Sequence, residues 1–289
     1  LVKFDAATAL YIGYYSAAIL NAVGTSGSPI TFTSSASTPA PADWYGIVFF
    51  NSTDDASTIM DYCTVEYGGL GGYNSNINCN DASPTIQNCT IRHSDGYGIY
   101  CDNQSAPTLT NNTISNNGVY PISLYCGILD SNVTGNTGSG NGTNAIQVRD
   151  GSIITSRTWV PQDFYFNVTG AIHVYSGATL TTNPGCLVKF NAGGALYIGY
   201  YSAAILNAVG TSGNPITFTS NASTPAPADW NGIVFYNSTD DSATIMDYCT
   251  VEYGGLGGFN SNINCNDASP TIQNCTIKDS DGYGIYCDN

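Results

Sequence analysis

The sequence predicts an all-β protein, a parallel β-helix solenoid with about seven coils in each tandem repeat of 186 residues. Three observations lead to this prediction. Short apolar segments recur every 23 residues, turn-forming residues separate them, and a much longer stretch returns almost unchanged 186 residues later. Together they describe a chain that adds one similar coil after another instead of closing around a single compact core.

The short repeat is clearest between Cys79 and Cys126. Ser83-Pro84-Thr85-Ile86 returns 23 residues later as Ala106-Pro107-Thr108-Leu109. A step of this length is too short for two stacked helices, and the apolar residues alternate instead of following the i, i+3, i+4 spacing of an amphipathic helix. Asn, Asp, Ser and Gly, which favour turns, separate the short strands. One coil of a parallel β-helix per step is the simplest solution, with a rise of about 4.8 Å per coil.

The long repeat relates residues 1–103 to residues 187–289, without a gap and with 12 differences. The periodicity is weakest at 150–167, around Thr158-Trp159-Val160-Pro161. We therefore expect two β-helix modules, residues 1–157 and residues 158–289. The first would be one repeat without its opening coil, and the second the start of the next repeat. The chain then resembles a segment of a longer tandem array.

The composition excludes some partners. Charged residues make up 9% of the chain, against about 25% in typical globular proteins. Aromatic residues reach 12%, including 21 Tyr, which suits a turn-rich β protein. With 6 Lys plus Arg and a net charge of −15, the chain lacks the basic surface that nucleic acids require. No apolar stretch is long enough for a membrane-spanning helix. We expect neither a nucleic-acid partner nor a membrane span in this segment.

The asparagines near the turns have two competing interpretations. In stacked coils, Asn can adopt left-handed backbone angles at a corner and hydrogen-bond to the Asn of the next coil. We expect such ladders at Asn88, Asn111, Asn132 and Asn274. These residues also begin Asn-X-Ser/Thr sequons, which in a secreted protein can carry glycans. The better glycosylation candidates are those in predicted loops, namely Asn51, Asn141, Asn221 and Asn237.

The cysteines fall at equivalent coil positions. Aligning the coil phrases stacks Cys63 on Cys89 and Cys79 on Cys101, with second copies Cys249 on Cys275 and Cys265 on Cys287. Neighbouring strands hold their Cα atoms about 4.8 Å apart, within the range that a disulfide accepts. The alternative is a column of buried thiols that pack as small apolar residues. With two His and no CxxC pair, a zinc site is not expected.

Several phrases carry a family resemblance. GTSGSPITFTS, PADWYGIVF, DYCTVEYGG, SPTIQNCTI and DGYGIYCDN follow in this order, and VTGAIHVYSGATLTTNPGCLVKF opens the next repeat. They resemble the coil phrases of the right-handed parallel β-helix, or pectate-lyase-like, superfamily, and most closely its repeat-containing bacterial and archaeal cell-surface proteins. The resemblance covers nearly the whole chain and implies a right-handed solenoid. It does not select one function, because this fold carries lyases, hydrolases, epimerases, adhesins and passive fibres.

The enzymes of this superfamily cluster carboxylates on one face, and its lyases add calcium and an Arg or Lys base. The candidate catalytic residues here are Asp54, Asp55, Arg92 and Asp95. Asp54 and Asp55, with their copies Asp240 and Asp241, lie in a turn where Asp commonly caps its own backbone. The same four carboxylates are the candidates for binding calcium. We expect no other cofactor. His93 is replaced by Asp279 in the second copy, so a His-dependent mechanism would not operate in both copies.

The leading functional prediction is an extracellular structural protein at the cell surface. Near-identical repeats and the absence of a convincing catalytic cluster favour modules that stack end to end into a fibre, sheath or surface layer. Self-association would be head-to-tail through the open strand edges of the coils. The alternatives are an adhesin that binds carbohydrate through exposed Tyr side chains, and a polysaccharide lyase or glycoside hydrolase.

Overall fold

The chain is all-β in the computed structural model, which describes residues 1–102 and 104–288. In this range it forms 32 β-strands, one 3₁₀ turn at Gly71–Tyr73 and no α-helix. The described residues contain no helix of the length and hydrophobicity that crossing a bilayer requires. The chain divides into two compact units, which are described separately.

Unit 1 comprises Leu1–Leu124, Asn132–Ile146 and Gln162–Phe164. It contains three series of strands, and all neighbours within each series are parallel. The first series is β1 (Val2–Phe4), β4 (Ile30–Ser34), β7 (Cys63–Glu66), β10 (Thr90–Arg92) and β13 (Thr113–Ser115). The second series is β2 (Ala9–Ile12), β5 (Gly46–Phe49), β8 (Ser75–Cys79), β11 (Tyr97–Cys101) and β14 (Ile122–Tyr125). The third series is β3 (Asn21–Val23), β6 (Ile59–Asp61), β9 (Thr85–Gln87), β12 (Thr108–Thr110) and β15 (Val133–Thr134).

Unit 2 comprises Tyr125–Ser131, Gln147–Pro161 and Tyr165–Asn289, and it has the same three-sided arrangement. Strand β16 (Ala145–Arg149) precedes its three series. The first series is β17 (Gly151–Ile153), β20 (Ala171–Val174), β23 (Ala195–Ile198), β26 (Gly232–Phe235), β29 (Ser261–Asn266) and β32 (Tyr283–Asp288). The second series is β18 (Arg157–Trp159), β21 (Ala178–Thr182), β24 (Ala204–Val209), β27 (Ile245–Asp247) and β30 (Thr271–Gln273). The third series is β19 (Tyr165–Val168), β22 (Leu187–Phe190), β25 (Ile216–Ser220), β28 (Cys249–Glu252) and β31 (Thr276–Lys278).

Three strands make one turn of the solenoid, because within each series of a unit every strand pairs with the strand three places later in the sequence. The described residues form about 11 such turns. The predicted fold class, an all-β parallel β-helix, is therefore confirmed. The proposed module boundary between residues 157 and 158 concerns the sequence repeat and stays a prediction.

Ladders of identical apolar side chains form the core. In unit 1, Ile47, Ile77, Ile99 and Ile122 are direct register partners in consecutive coils, and all are fully buried. Burial of apolar surface contributes roughly 25 cal/mol per Å², so each added coil extends the core by one more favourable layer. Alternation along each short strand sends the neighbouring side chains outward. The apolar periodicity in the sequence arises because each coil contributes one residue to this ladder.

Left-handed backbone angles mark the corners, as expected for Asn. Asn88, Asn111 and Asn274 have φ values of 52°, 56° and 51°. Their side chains do not form the predicted Asn-to-Asn ladder, however. The Nδ2 of Asn88 donates to Asp61 Oδ1 at 2.8 Å, and Asn274 repeats this contact with Asp247 at 2.8 Å.

The asparagine column of unit 1 contains Asn112, one residue after the predicted position Asn111, and Asn136, four residues after the predicted position Asn132. Asn112 is fully buried, and its Oδ1 accepts the Cys89 N–H at 2.9 Å. Its Nδ2 donates to Asn136 Oδ1 at 3.0 Å, and Asn136 Nδ2 donates to Gln162 Oε1 at 3.3 Å. The predicted position, Asn111, is exposed. This corrects the ladder prediction, because the left-handed corner residue faces solvent and the residue after it faces the interior.

Asn132 also departs from the predicted ladder. It is not among the residues with positive φ, and its Nδ2 donates to the Pro107 carbonyl at 2.8 Å. A second column in unit 1 joins Asn117 Nδ2 to Asn141 Oδ1 at 2.9 Å, and Asn141 Nδ2 to Asn144 Oδ1 at 3.0 Å. These columns satisfy backbone groups that the corners remove from the sheets, a requirement for buried polar groups.

Candidate functional site

The predicted acidic candidates serve as turn caps in the structure. Asp54 Oδ1 accepts the Ser57 N–H at 3.3 Å, within the same turn. Asp55 Oδ1 accepts the Ser83 N–H of the next coil at 2.7 Å. The second copies behave alike, since Asp240 accepts from Ala243 at 3.2 Å and Asp241 from Ser269 at 2.8 Å. The contacts are those of side chains that stabilise turns and link successive coils.

Arg92 lies away from these carboxylates. It ends β10 in the first series, whereas Asp54 and Asp55 precede β6 in the third series. Its Nε donates to Glu66 Oε2 at 2.8 Å, and Glu66 Oε1 accepts from Thr33 Oγ1 at 3.0 Å. Because Glu66 is buried, the pair balances a charge that would otherwise be costly to bury. The structure therefore does not gather the four candidate catalytic residues into one site.

The second copy keeps this ion pair with a different cation. Lys278 Nζ lies 2.8 Å from Glu252 Oε2, and Thr219 Oγ1 donates to Glu252 Oε1 at 2.9 Å. The hydrogen bond and the charge of Glu252 raise the pKa of Lys278. The remaining candidate, Asp95, is exposed in the corner between β10 and β11. The replacement of Arg by Lys at an equivalent place suits a structural ion pair, which needs charge but no fixed bidentate geometry.

Calcium binding stays a prediction. Within residues 1–102 and 104–288, no group of three or more His, Cys, Asp or Glu side chains converges as a metal site would require. Calcium takes six to eight oxygen ligands, and the Asp54 and Asp55 carboxylates already accept backbone N–H groups.

The cysteines stack as the sequence indicated, but none of them is joined in a disulfide. Cys79 and Cys101 are direct register partners, as are Cys265 and Cys287. The Cys63 N–H donates to the Cys89 Sγ at 3.4 Å, and Cys249 repeats this contact with Cys275 at 3.4 Å. A hydrogen bond to Cys101, together with burial, raises the pKa of Cys79 well above its usual range. The predicted disulfides are therefore not present, and the buried thiols pack as small apolar residues.

The glycosylation candidates differ in accessibility. Asn51 and Asn237 are exposed. Asn221 accepts a hydrogen bond from the Tyr165 hydroxyl at 3.1 Å and donates to Asn191 Oδ1 at 2.9 Å. Asn141 lies in a bend but is buried in the second asparagine column, which argues against a glycan there. Its Oδ1 and Nδ2 are already used within the solenoid. Glycosylation at the other candidates stays a prediction.

A surface of aromatic side chains is the most distinctive feature outside the core. In unit 1, Tyr11 lies on the outward row of the second series, in register with Val48. Further rings lie around it. They come from the turn after β2, the turn after β5 and the 3₁₀ segment. We call this set the aromatic face of unit 1: Tyr11, Tyr14, Tyr15, Phe50 and Tyr73. Val48, the register partner of Tyr11 in the next coil, is fully buried.

The rings contact one another in tilted and edge-to-face arrangements, which aromatic pairs prefer. The centroid of Tyr14 lies 4.7 Å from Phe50 and 4.5 Å from Tyr15. Tyr11 lies 5.6 Å from Phe50 and 6.0 Å from Tyr73. Burial and neighbouring hydroxyls, Tyr73 first among them, raise the pKa of Tyr11. Each ring of the face except Tyr15 contacts at least two others, so its neighbours restrict its position.

Unit 2 contains a second aromatic face made by the repeated sequence: Tyr197, Tyr200, Tyr201, Tyr236 and Phe259. Tyr200 lies 4.8 Å from Tyr236, close to the spacing of the equivalent pair in unit 1. His173 of the preceding coil contacts Tyr197 and Tyr201, at 4.9 and 5.4 Å between ring centroids. Burial lowers the pKa of His173 and raises the pKa of Tyr236 to about 12.

Exposed Tyr side chains are expected from the sequence, but their grouping into one surface is not. The repeated phrase Ile12-Gly13-Tyr14-Tyr15 directly after a strand was a usable signal. Two adjacent Tyr in a turn cannot both face the core, and Gly13 has a φ of 73° that turns the chain there. Phe50 and Tyr73 were not predictable as neighbours, because their approach depends on the register between coils.

Two family models match the chain. A pectate-lyase-like β-helix domain matches residues 151–274, and a right-handed β-helix region matches residues 20–158. No curated protein and no solved structure matches the chain. The two matches and the parallel three-strand turns agree with the resemblance in the coil phrases. The two matched regions and the parallel strands give the chain a right-handed, pectate-lyase-like β-helix fold.

Proposed function

We propose that this protein is an extracellular structural protein whose β-helix modules stack end to end into a fibre, sheath or surface layer. The support is a comparison of strand pairing between the two copies of the repeated sequence. Strands β1, β2 and β3 each have a partner on one side only. Their copies β22, β23 and β24 have partners on both sides, within unit 2.

The comparison extends to the side chains. Val2 is 40% exposed, whereas its copy Val188 is fully buried between Phe166 and Phe218, its register partners. The covering coil consists of β19, β20 and β21, which pair with β22, β23 and β24. One sequence is therefore compatible with a second coil on this edge, and it buries apolar side chains when the coil is present.

An edge of this kind is a template for pairing. The coil that covers the second copy consists of residues 165–182. A like module, in the same chain or in another, could continue the ladder on the first copy through its unpaired N–H and C=O groups. An edge that binds the opposite end of a like module makes a head-to-tail contact, and such contacts give open filaments when the rotation does not close. The low charge content and the resemblance to surface proteins support a location outside the cell.

The test uses the chain in a concentration series followed by sedimentation velocity and negative-stain electron microscopy. Val2→Lys places an ammonium group on the inward row of the open edge, so a docking coil would have to bury it. We expect wild type to form filaments and Val2→Lys to remain as single particles. Ser26→Lys, which adds the same charge in an exposed turn, is the matched control and should assemble normally.

Two results would count against the proposal: single particles of wild type at every concentration, or filaments of Val2→Lys that equal those of wild type. Surface labelling of the native cells tests the location, since an intracellular protein would stay unlabelled. The carbohydrate-binding alternative is favoured by the aromatic faces. A lyase or hydrolase stays a prediction without a supporting contact among the described carboxylates.

A further inference from the structure

We infer that the aromatic faces are binding surfaces for a neutral polysaccharide whose pyranose units carry equatorial hydroxyl groups. This goes beyond the structural role proposed above and does not depend on filament formation. The first support is exposure. Tyr15 is 93% exposed, Tyr14 is 50% exposed and Tyr11 is 43% exposed. Contiguous exposed aromatic surface of this kind commonly marks an interaction site.

The second support is that the rings, and not their hydroxyl groups, recur in the two copies. Phe50 is replaced by Tyr236 and Tyr73 by Phe259, so the hydroxyl moves while the ring remains. The ring spacing is also retained, since Tyr11 to Tyr73 is 6.0 Å and Tyr197 to Phe259 is 6.1 Å. A surface that recognises its partner by hydrogen bonds from these hydroxyls would not tolerate the exchange.

Ring faces of this kind suit a sugar with equatorial hydroxyls. Such a pyranose has axial C–H groups on each face, and these pack on an aromatic ring while the hydroxyls stay at the rim. Aromatic side chains supply a large contact area with few bonds to immobilise, so binding costs little conformational entropy. The rings of Tyr11, Tyr14, Phe50 and Tyr73 already contact one another at 4.7 to 6.4 Å, which restricts their motion before binding.

Charge decides which class of polysaccharide fits. None of the six Lys and Arg residues belongs to either aromatic face, and the net charge is −15. Arg92, Arg157 and Lys278 form ion pairs with Glu66, Asp130 and Glu252. Lys189 lies over the ring of Tyr165, at 4.7 Å from its centroid. An acidic polymer such as polygalacturonate would meet repulsion without a compensating cation, so the ligand is neutral.

The exposed amides near the rings supply polar contacts. Asn51 follows Phe50 directly and is exposed, and Asn237 follows Tyr236 in the same way. An amide offers both a donor and an acceptor, which suits a sugar hydroxyl that needs both. Sites for small ligands usually combine apolar or aromatic side chains with a few polar groups, as these rings and amides do.

The experiment measures binding of the unglycosylated chain, produced in a bacterial host, to four probes: cellohexaose, chitohexaose, polygalacturonate and dextran. Isothermal titration calorimetry gives the affinity, and pull-down on insoluble cellulose and chitin gives a second readout. We expect binding to cellohexaose or chitohexaose and none to polygalacturonate. Tyr14→Ala combined with Tyr200→Ala removes one ring from each face and should weaken binding roughly tenfold. This factor lies near the upper end of the free energy that one aromatic contact contributes to binding.

Two controls separate the ring from the fold. Tyr14→Phe combined with Tyr200→Phe keeps both rings and should restore affinity to within about threefold of wild type. Ile154→Ala removes an exposed apolar side chain outside both faces, 56% exposed, and should leave binding unchanged. Circular dichroism of each variant checks that the solenoid remains folded.

The inference is overturned if no neutral probe binds, if polygalacturonate binds more tightly than the neutral probes, or if the double Ala variant binds like wild type. If the double Ala variant instead loses self-association while no sugar binds, the faces are protein contacts and the inference fails. Filament formation is scored separately, so loss of sugar binding leaves the end-to-end proposal standing, and the reverse also holds.

Discussion

Asn112→Ala tests whether the buried asparagine columns stabilise the solenoid. The Asn112 side chain accepts from the Cys89 N–H at 2.9 Å and donates to the Ile86 carbonyl at 2.9 Å. It also donates to Asn136 Oδ1 at 3.0 Å. Truncation leaves the N–H and the carbonyl buried without these partners. Each unsatisfied group costs about 1–3 kcal/mol, so we expect a loss of about 3 kcal/mol in the free energy of unfolding.

Urea denaturation followed by far-UV circular dichroism measures this loss. Hydrogen exchange of peptides covering residues 85–115 then shows whether the loss is local, since opening in a repeat protein need not be global. Asn111→Gly is the matched control. It changes the neighbouring exposed residue, which has a φ of 56°, to one that adopts this angle freely, and the cost should stay below about 0.5 kcal/mol. A loss below about 0.5 kcal/mol for Asn112→Ala, or equal losses for both variants, would refute the reasoning.

Three further predictions concern single side chains. Trp44→Phe keeps a ring in the core but loses the hydrogen bond from Nε1 to the Glu66 carbonyl at 2.9 Å; urea denaturation should show a loss of about 1–2 kcal/mol, and no change would contradict it. Burial lowers the pKa of His173, so the unfolded state binds the proton more readily and stability falls as pH drops through about 6.5. Melting temperatures at pH 7.5 and 5.5 should differ less for His173→Phe than for wild type; equal differences would contradict this. Burial raises the pKa of Cys126 and of Cys186 to about 12, so iodoacetamide at pH 8 should label both only after unfolding, and rapid labelling of the native chain would argue against burial.

The sequence predicted the solenoid because its periodicity records the core directly. The alternation around Ile77, Ile86 and Ile99 and the 23-residue step require no knowledge of long-range contacts, since each coil packs on the coil before it. Every one of these residues is fully buried. A fold whose contacts are all between neighbouring coils is therefore predictable from local pattern.

Predictions that depended on side-chain direction at the corners were less accurate. The asparagine column was displaced by one residue, from Asn111 to Asn112, because a one-residue shift in a strand reverses which side chain faces inward. Asn141 does lie in a bend, but its amide belongs to a buried column, which its position among Gly residues did not indicate. Periodicity locates a corner without specifying which of its residues turns inward.

The aromatic faces required the register between coils. Tyr11, Phe50 and Tyr73 are far apart in the sequence, and only the pairing of β2, β5 and β8 brings their rings together. The candidate catalytic residues are the opposite case, because the register separates them. Asp54 and Arg92 were grouped by residue type, but they belong to different strand series. A site on a solenoid is defined by which residues share a series, and the sequence gives that information only after the coils have been aligned.

Hydrogen exchange of residues 1–289, produced alone and assembled at high concentration, tests the central claim of end-to-end stacking most directly. Residues 1–23 and 187–209 are near-identical in sequence, and differences such as Asp5 and Asn191 let mass spectrometry distinguish their peptides. The second segment is an internal standard for an edge covered by a coil. The stacking account predicts that the amides of residues 1–23 exchange as slowly as those of residues 187–209. Faster exchange of residues 1–23 at every protein concentration would contradict it, because the edge would then remain open.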